Sequence, residues 1–420
     1  MISTKQLDNG ITINVEEIKG AKTISCFFAF KVGSLYENET NFGICHLLEH
    51  ILFCGTKNRS SEQIKEDFNN CGTIFNGSTG VYHTRFYIKN IVDFFEKSFE
   101  IMADMISNPS FNKNEFIKEK KVVFEEMLRY KDIPNEELYK ECIKHFYANS
   151  NLKNLPIGKP STLTNLSVED VKKFYQENYT TENCIISFAG NINFNSAKKL
   201  VEKYVKLNFG KPKINVLPFT KSNHTIKSEV VQIQKAVNQS LVKIFFVAPN
   251  SKDENYFPFI MLANILGGGT SSLLYKHLRD KLGLVYSINA STLNNYNSGA
   301  LIINFATKEE NVTTAINEIC TLIKKLISKG FDTKLLEIEK LKAKINYVSA
   351  SEQSITIAGS NNIDLIENGE IIPYTTILEK LNAISLNDVK QQAEQIFKNK
   401  NCLIGIISKN TLKIKPIKIK

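Results

Sequence analysis

The chain has 420 residues, 42% of them hydrophobic and 23% charged, an ordinary globular composition with enough length for two domains. Its formal charge of +10 comes from 53 basic against 43 acidic residues, spread along the sequence. With no R-G-G run, zinc-finger spacing or RNP-like aromatic block, that balance argues against a nucleic-acid partner, and no apolar run of about 18 residues is present to span a membrane. The eight cysteines form no C-x-x-C pair and several sit in apolar runs, so free thiols in a reducing compartment are expected. The first ten residues carry no apolar signal core and no arginine-rich presequence pattern. The cytoplasm is the expected location, with an organelle matrix as the alternative.

In chain order, Ile11 to Glu16 and Lys22 to Val32 read as strands and Gly33 to Thr40 as a polar loop. A helix follows within Gly43 to Thr56, and Ser60-Ser61-Glu62-Gln63 opens another in capping-box style, running to about Asn70. Thr73 to Thr79 and His83 to Lys89 read as a strand pair. Helices are expected at Ile91 to Ile106, Asn112 to Arg129, Asn135 to Tyr147 and from Ser167 to Asn178, then a strand at Cys184 to Gly190 and a helix at Ser196 to Leu207.

The segment 209–225, with Gly210 and Pro212 and no clear period, reads as a linker. Beyond it a similar order recurs. Strands are expected at Val230 to Lys235 and Ser240 to Val247, helices at Asn255 to Leu266 and Ser271 to Lys281, and strands at Val285 to Leu293 and Ala300 to Ala306. Long helices follow at Glu309 to Ser328 and Thr333 to Ala350, then a helix at Leu386 to Phe397 and a strand at Cys402 to Ile407. The recurrence predicts a duplicated α+β fold: domains at 1–208 and 226–420, each an antiparallel sheet covered by helices on one face. The basic tail from Lys413 to Lys420 reads as a frayed end rather than a binding arm.

The chemistry concentrates in His46-Leu47-Leu48-Glu49-His50. On a helix each residue turns by about 100°, so His46 and His50 project from one face, one turn apart. Two neutral imidazoles so placed can hold a divalent cation, and Glu49 on the flank can reach a water beside it without being a ligand. The pattern is the inverse of the common zinc-protease motif. Cys45 lies about 100° from His46 on the helix and is not expected to take part. Zinc in a hydrolytic site usually takes three protein ligands and a water. On the helix from Asn112 to Arg129, Glu126 and Glu119 lie about 40° and 60° from Val122, in the middle of the expected apolar face, whereas Glu125 stands between Lys121 and Arg129 in a solvated ladder. An acid so placed needs a metal, a buried arginine or a hydroxyl as its partner, and the residues alone leave that choice open.

Together these features resemble the pitrilysin-type zinc peptidases of family M16, in their processing-peptidase-like branch. The resemblance extends over nearly the whole chain. It rests on the block Gly43 to Arg59, the glutamate pair Glu119 and Glu126 seven residues apart, Pro134, Ile157-Gly158 through Leu163, Tyr179 and Ala189-Gly190-Asn191. In the second half it rests on Gly267 to Leu273 and Leu278 to Tyr286.

The resemblance implies that His46, His50 and Glu126 bind one Zn2+ per chain, that Glu49 is the general base, and that Glu119 orients a ligand from behind. It further implies that Arg279 and Tyr286 reach the scissile region of the substrate, and that Asn76 and Gly77 lie on the strand along which relatives lay the substrate backbone. Gly77 stands where the family usually has alanine, which is expected to loosen that strand. The segment from Asn151 to Lys159 is compressed relative to the family's form.

A zinc-dependent endopeptidase acting on peptides or presequence-like unfolded segments follows, working as a homo- or heterodimer. The alternative is a non-catalytic scaffold subunit of the core-protein kind, but the chain keeps every group such relatives lose. A zinc-stabilised binding module would need a fourth protein ligand, and none is evident.

Overall fold

A computed structural model of the chain describes residues 2–217, 224–295, 297–398 and 402–417. Part of the expected linker and the end of the basic tail therefore lie outside the described residues. Along the chain come β1 (Ile2–Gln6), β2 (Thr12–Glu17), β3 (Thr23–Phe30), α1 (Ile44–Leu52), α2 (Ser61–Asn70), β4 (Ile74–Thr79), β5 (Thr84–Ile91), α3 (Val92–Ser107) and α4 (Lys113–Asp132). Next are α5 (Pro134–Phe146), α6 (Pro160–Asn165), α7 (Val168–Asn178), β6 (Cys184–Gly190) and α8 (Phe194–Tyr204). The second half adds β7 (Glu229–Gln234), β8 (Ser240–Ala248), α9 (Tyr256–Gly267), a π-helix (Tyr275–Lys281), β9 (Ser287–Asn295), β10 (Ser298–Thr307), α10 (Val312–Lys329), α11 (Thr333–Ala350), α12 (Ser354–Glu367), α13 (Tyr374–Ala383), α14 (Leu386–Lys398) and β11 (Cys402–Ser408).

The α+β class is as expected from the sequence. The first sheet runs β1-β2-β6-β3-β5-β4 and the second β7-β11-β8-β10-β9. Each is antiparallel except for one pair, β2 with β6 and β7 with β11, which run parallel. The capping box at the start of α2 is formed: Ser60 Oγ accepts from the Gln63 N–H and the Gln63 side chain accepts from the Ser60 N–H. β1, α6, α12 and α13 had no counterpart in the sequence reading. β1 is short and mostly exposed, so it offers no burial pattern. The helix expected over Ser271 to Lys281 has π geometry in its second part, with Leu282 N–H bonding to His277 C=O five residues back.

Two compact units emerge, and their boundaries interleave along the chain. One comprises Met1–Leu128, Asn154–Pro218 and Val348–Ile372; the other comprises Arg129–Lys153, Phe219–Tyr347 and Pro373–Lys420. The expected division into 1–208 and 226–420 is contiguous and has no such exchange. The alternation of the strands explains it. In β3, Ile24, Cys26, Phe28 and Phe30 point into a core shared with α1 and α3, while Phe27 and Ala29 point the other way. β6 divides likewise, with Ile186 and Phe188 on one side and Ile185 and Ala189 on the other. Both faces are apolar, so both need a cover, and α12 supplies the second one through Ile357, Ala358, Leu365 and Ile366. Polar residues between these apolar contacts pair as well. Ser354 Oγ lies 2.9 Å from Ser25 Oγ, and Asn362 Nδ2 donates to Ser187 Oγ at 3.2 Å.

In the second unit the core lies between the sheet and α9, α10 and α14. α5 covers the opposite face, where the rings of Phe146 and Tyr139 lie 5.4 Å and 6.5 Å from that of Phe245 on β8. The helices on one face in the sequence reading are thus joined, in each unit, by a helix on the other face.

Candidate metal centre

α1 carries His46, Glu49 and His50, and its apolar residues Ile44, Leu47, Leu48, Ile51 and Leu52 are all buried. Its N-terminus is held from a distance. Gly43 takes the left-handed conformation (φ +95°), which favours glycine, and the Glu37 carboxylate accepts from the N–H groups of Gly43 and Cys45, both at 2.9 Å. Glu37 is 1% exposed. Burial pushes its carboxyl up to about 7, against two N–H donors that favour the ionised form. Sequence reasoning missed this residue and placed it in a polar loop. Its one signal was an acid just ahead of a helix lacking a Ser, Thr, Asp or Asn cap.

The imidazoles of His46 and His50 stand 4.7 Å apart between ring centres. Glu126 Oε2, from α4, lies 3.7 Å from His46 Nε2 and 3.8 Å from His50 Nε2. These separations are too long for hydrogen bonds and close to the ~3.4 Å expected between neighbouring ligands around a tetrahedral ion with bonds of about 2.0–2.1 Å. One ligand atom from each of the three residues lies within 4.8 Å of the others, and among the described residues no other such group of His, Cys, Asp or Glu forms. Burial, with His50 adjacent, lowers the His46 pKa to about 4, so at neutral pH it is the neutral imidazole a metal needs. The donor set fits a zinc ion with one position left open.

Glu119, two turns before Glu126 on the same side of α4, lies behind His50, with its Oε2 3.0 Å from Nδ1. Burial lowers the His50 pKa, but the bond to Glu119 and the charges of Glu126 and Glu49 outweigh it and the net direction is up. The bond from His50 in turn holds Glu119 below the usual carboxylate range. The two glutamates are not in the middle of a buried face. Val122 is 43% exposed, and the Glu119 and Glu126 side chains are 24% and 31% exposed. The buried stripe of α4 runs instead through Phe116 and Val123, with Met127 partly buried. The glutamates sit on its shoulder, where they face α1 and still reach solvent.

Glu49 is 9% exposed, and Thr79 Oγ1 on β4 donates to its Oε2 at 2.6 Å. Burial raises its pKa, opposed by the Thr79 bond. β4 is the edge strand of its sheet. Gly77, expected to loosen that strand, is closely packed: a Cβ there would come 2.8 Å from Glu49 Oε1 and 2.9 Å from the Phe53 ring. The missing side chain is space taken by Glu49. Asn76 is exposed, and its Oδ1 accepts from the Gly77 N–H at 2.9 Å.

Arg279 and Tyr286 belong to the second unit. Arg279 lies on the π-helix with its guanidinium 4.8 Å from the Tyr275 ring centre. Tyr286 stands just before β9, 69% exposed, its N–H bonded to Ala306 C=O at 2.9 Å.

Two histidines and a glutamate around one point, with an acid beside them and an open fourth position, define a metallopeptidase of the inverted-motif class. The sequence agrees in both halves. Residues 12–160 match the family model described as "Insulinase (Peptidase family M16)", and residues 165–342 match the one described as "Peptidase M16 inactive domain".

An "Uncharacterized zinc protease" of Rickettsia felis is 29% identical, covering 93% of this chain and 94% of its own. The "Uncharacterized zinc protease YmxG" of Bacillus subtilis is 28% identical, covering 94% and 96%. The "Mitochondrial-processing peptidase subunit beta" of Saccharomyces cerevisiae is 22% identical, covering 94% and 89%. Among solved structures, that of a protease from Helicobacter pylori superposes with a TM-score of 0.87 at 23% identity, over 97% of this chain and 99% of the other, which speaks to the fold.

The chain belongs to peptidase family M16. It is a zinc-dependent peptidase of the processing-peptidase-like branch, and the scaffold alternative is not favoured. Among the described residues no helix is long and apolar enough to cross a membrane.

Proposed function

We propose that the chain is an endopeptidase that hydrolyses unfolded peptides or presequence-like segments, with one zinc ion held by His46, His50 and Glu126. The observation that carries this reading is the gathering of those three donor atoms within 4.8 Å, with Glu49 on the adjoining flank of α1. When bound, zinc acidifies a water molecule and polarises the scissile carbonyl.

Glu49 accepts the proton of the attacking water on its carboxylate and delivers it to the leaving amine, so one group serves as base and then as acid. Arg279 and Tyr286, assigned by resemblance, donate hydrogen bonds to the charge that develops on the carbonyl oxygen. Glu119 holds His50 by its Nδ1 side and fixes which ring nitrogen is free to ligate. The substrate backbone adds to the β4 edge near Asn76 and Gly77, which selects extended and therefore unfolded segments. Dimer formation, homo- or heteromeric, and a cytoplasmic location belong to the same reading; the free cysteines along the chain agree with a reducing compartment.

Cleavage-site mapping by mass spectrometry on a peptide library, comparing the wild type with Glu49→Gln, tests the proposal. The wild type is expected to cut at internal bonds. Glu49→Gln is expected to retain near-stoichiometric zinc and lose at least about 10²-fold in turnover. Turnover retained in Glu49→Gln would overturn the mechanism, and cleavage confined to chain ends would overturn the endopeptidase assignment.

A further inference from the structure

Glu49 leaves the helix α1 and meets the strand β4, where Thr79 binds one carboxylate oxygen and Gly77 leaves room for the other. Phe75, Gly77 and Thr79 form the less exposed side of this strand, while Ile74, Asn76 and Ser78 are exposed. Phe75 fastens that side to its surroundings, its ring stacked on Phe68 of α2 at 4.1 Å and 6.2 Å from Phe53. Next to it, the backbone of Gly77 passes so near Glu49 Oε1 that a Cβ would stand 2.8 Å away. Two residues on, Thr79 Oγ1 donates to Oε2 at 2.6 Å, within the 2.5–2.7 Å usual for a hydroxyl bound to a carboxylate.

We propose that Thr79 is a positioning residue for the peptidase reaction: its hydroxyl seats the Glu49 carboxylate against β4 in a single orientation, in the space that Gly77 leaves open. The inference rests on the reading of Glu49 as the base. A glutamate side chain has three torsions, the last of them broad, so an untethered carboxylate samples several positions. The Thr79 hydroxyl makes the short bond, and the Thr79 backbone N–H adds a second donor that every variant at this position keeps; together they leave lone-pair sites on the carboxylate free to receive a proton. Because the same edge strand is where the substrate is proposed to add, β4 ties the register of the peptide to the direction of the base. A misplacement of about 1 Å in such a site costs on the order of 10²-fold in rate.

The experiment compares Thr79→Val, which removes the hydroxyl at nearly constant shape, with Thr79→Ser, which keeps it. Both are made in the full chain and assayed on an internally quenched peptide cleaved by the wild type, with zinc content measured alongside. Expected is a loss in kcat of about 10- to 100-fold for Thr79→Val, with KM and zinc content within about twofold of the wild type, and recovery to within about threefold in Thr79→Ser. A kcat for Thr79→Val within twofold of the wild type would overturn the inference. So would a Thr79→Ser enzyme as impaired as Thr79→Val, or a loss of zinc in step with kcat. If Thr79→Val does not fold, Thr79→Ala takes its place under the same criteria.

Crystal structures of the wild type and Thr79→Val supply a readout independent of turnover. The Glu49 carboxylate is expected to leave β4 or divide between conformers in the variant, and an unmoved carboxylate refutes the role. An active wild type, a dead Glu49→Gln and an unimpaired Thr79→Val would defeat this inference alone, whereas an active Glu49→Gln would defeat the reading of Glu49 beneath it.

Discussion

Nδ1 of His50 lies 3.0 Å from Oε2 of Glu119, while Nε2 of the same ring faces Glu126. The imidazole is thus held by one nitrogen and presents the other to the metal position. A carboxylate behind a ligating histidine fixes its tautomer and raises its basicity, and loss of such a partner typically costs 10–100-fold in metal affinity. Glu119→Ala is therefore expected to weaken zinc binding by about 10–100-fold in competition with a fluorescent chelator. Activity should fall at limiting zinc and return in excess. Affinity within twofold of the wild type would remove Glu119 from the metal centre.

Arg59, at the end of the motif block, binds three acids. Its Nε donates to Asp67 at 2.9 Å, its Nη1 to Asp104 at 2.7 Å and its Nη2 to Glu100 at 2.7 Å. Asp104 is 6% exposed. Burial alone would raise its pKa, but bonds from Asn108, Thr56, Asn58 and Arg59 outweigh it and hold the carboxyl below the usual aspartate value. A depressed folded-state pKa means that the unfolded chain binds the proton more tightly. Asp104 accordingly contributes stability above about pH 4, and that contribution disappears as the pH falls through its folded-state value. In urea unfolding, the gap between wild type and Asp104→Asn is expected to be full at pH 7 and to close below about pH 4. Arg59→Ala, which strands the partly buried acids, should lose about 2–4 kcal/mol at neutral pH. A wild type to Asp104→Asn gap independent of pH would contradict this account.

The exchange of α5 and α12 bears on how the chain can be divided. Residues 1–208 lack α12, which covers Phe27, Ala29, Ile185 and Ala189 in the first sheet. Expressed alone, this fragment is expected to bind a hydrophobic dye and to lack a cooperative thermal transition, because an apolar sheet face and the hydroxyls of Ser25 and Ser187 are left without their partners. Adding the segment 348–372 through a flexible linker should restore a cooperative transition. A fully cooperative 1–208 fragment would show that the second cover is dispensable.

The helix that carries His46, Glu49 and His50 was legible because its information is local. Histidines four apart lie on one face whatever surrounds them, and the run of Ile44, Leu47, Leu48, Ile51 and Leu52 forces that helix to be buried. The capping box of α2 was legible for the same reason. Glu126 came within reach through its position on α4, although the expected burial of that face was too great. What decides is which neighbour a helix packs against, and the period of a single helix carries no record of that.

Glu37, Thr79 and α12 stayed out of view because each acts across a distance. Glu37 caps a helix from outside it, and Thr79 meets Glu49 from a strand that follows another helix. α12 covers β3, more than 300 residues before it, and β6, more than 150 residues before it, as the pairings of Ser354 with Ser25 and of Asn362 with Ser187 record. The sequence by itself determined the α+β class, most of the regular elements and the face on which His46 and His50 stand, since these follow from helical and strand periods and from short-range caps. Only the tertiary structure decided that both faces of each sheet are covered, that Gly77 gives room to Glu49, and which histidine Glu119 stands behind. Those are contacts between side chains far apart in the chain, and they are set by how the buried faces fit one another.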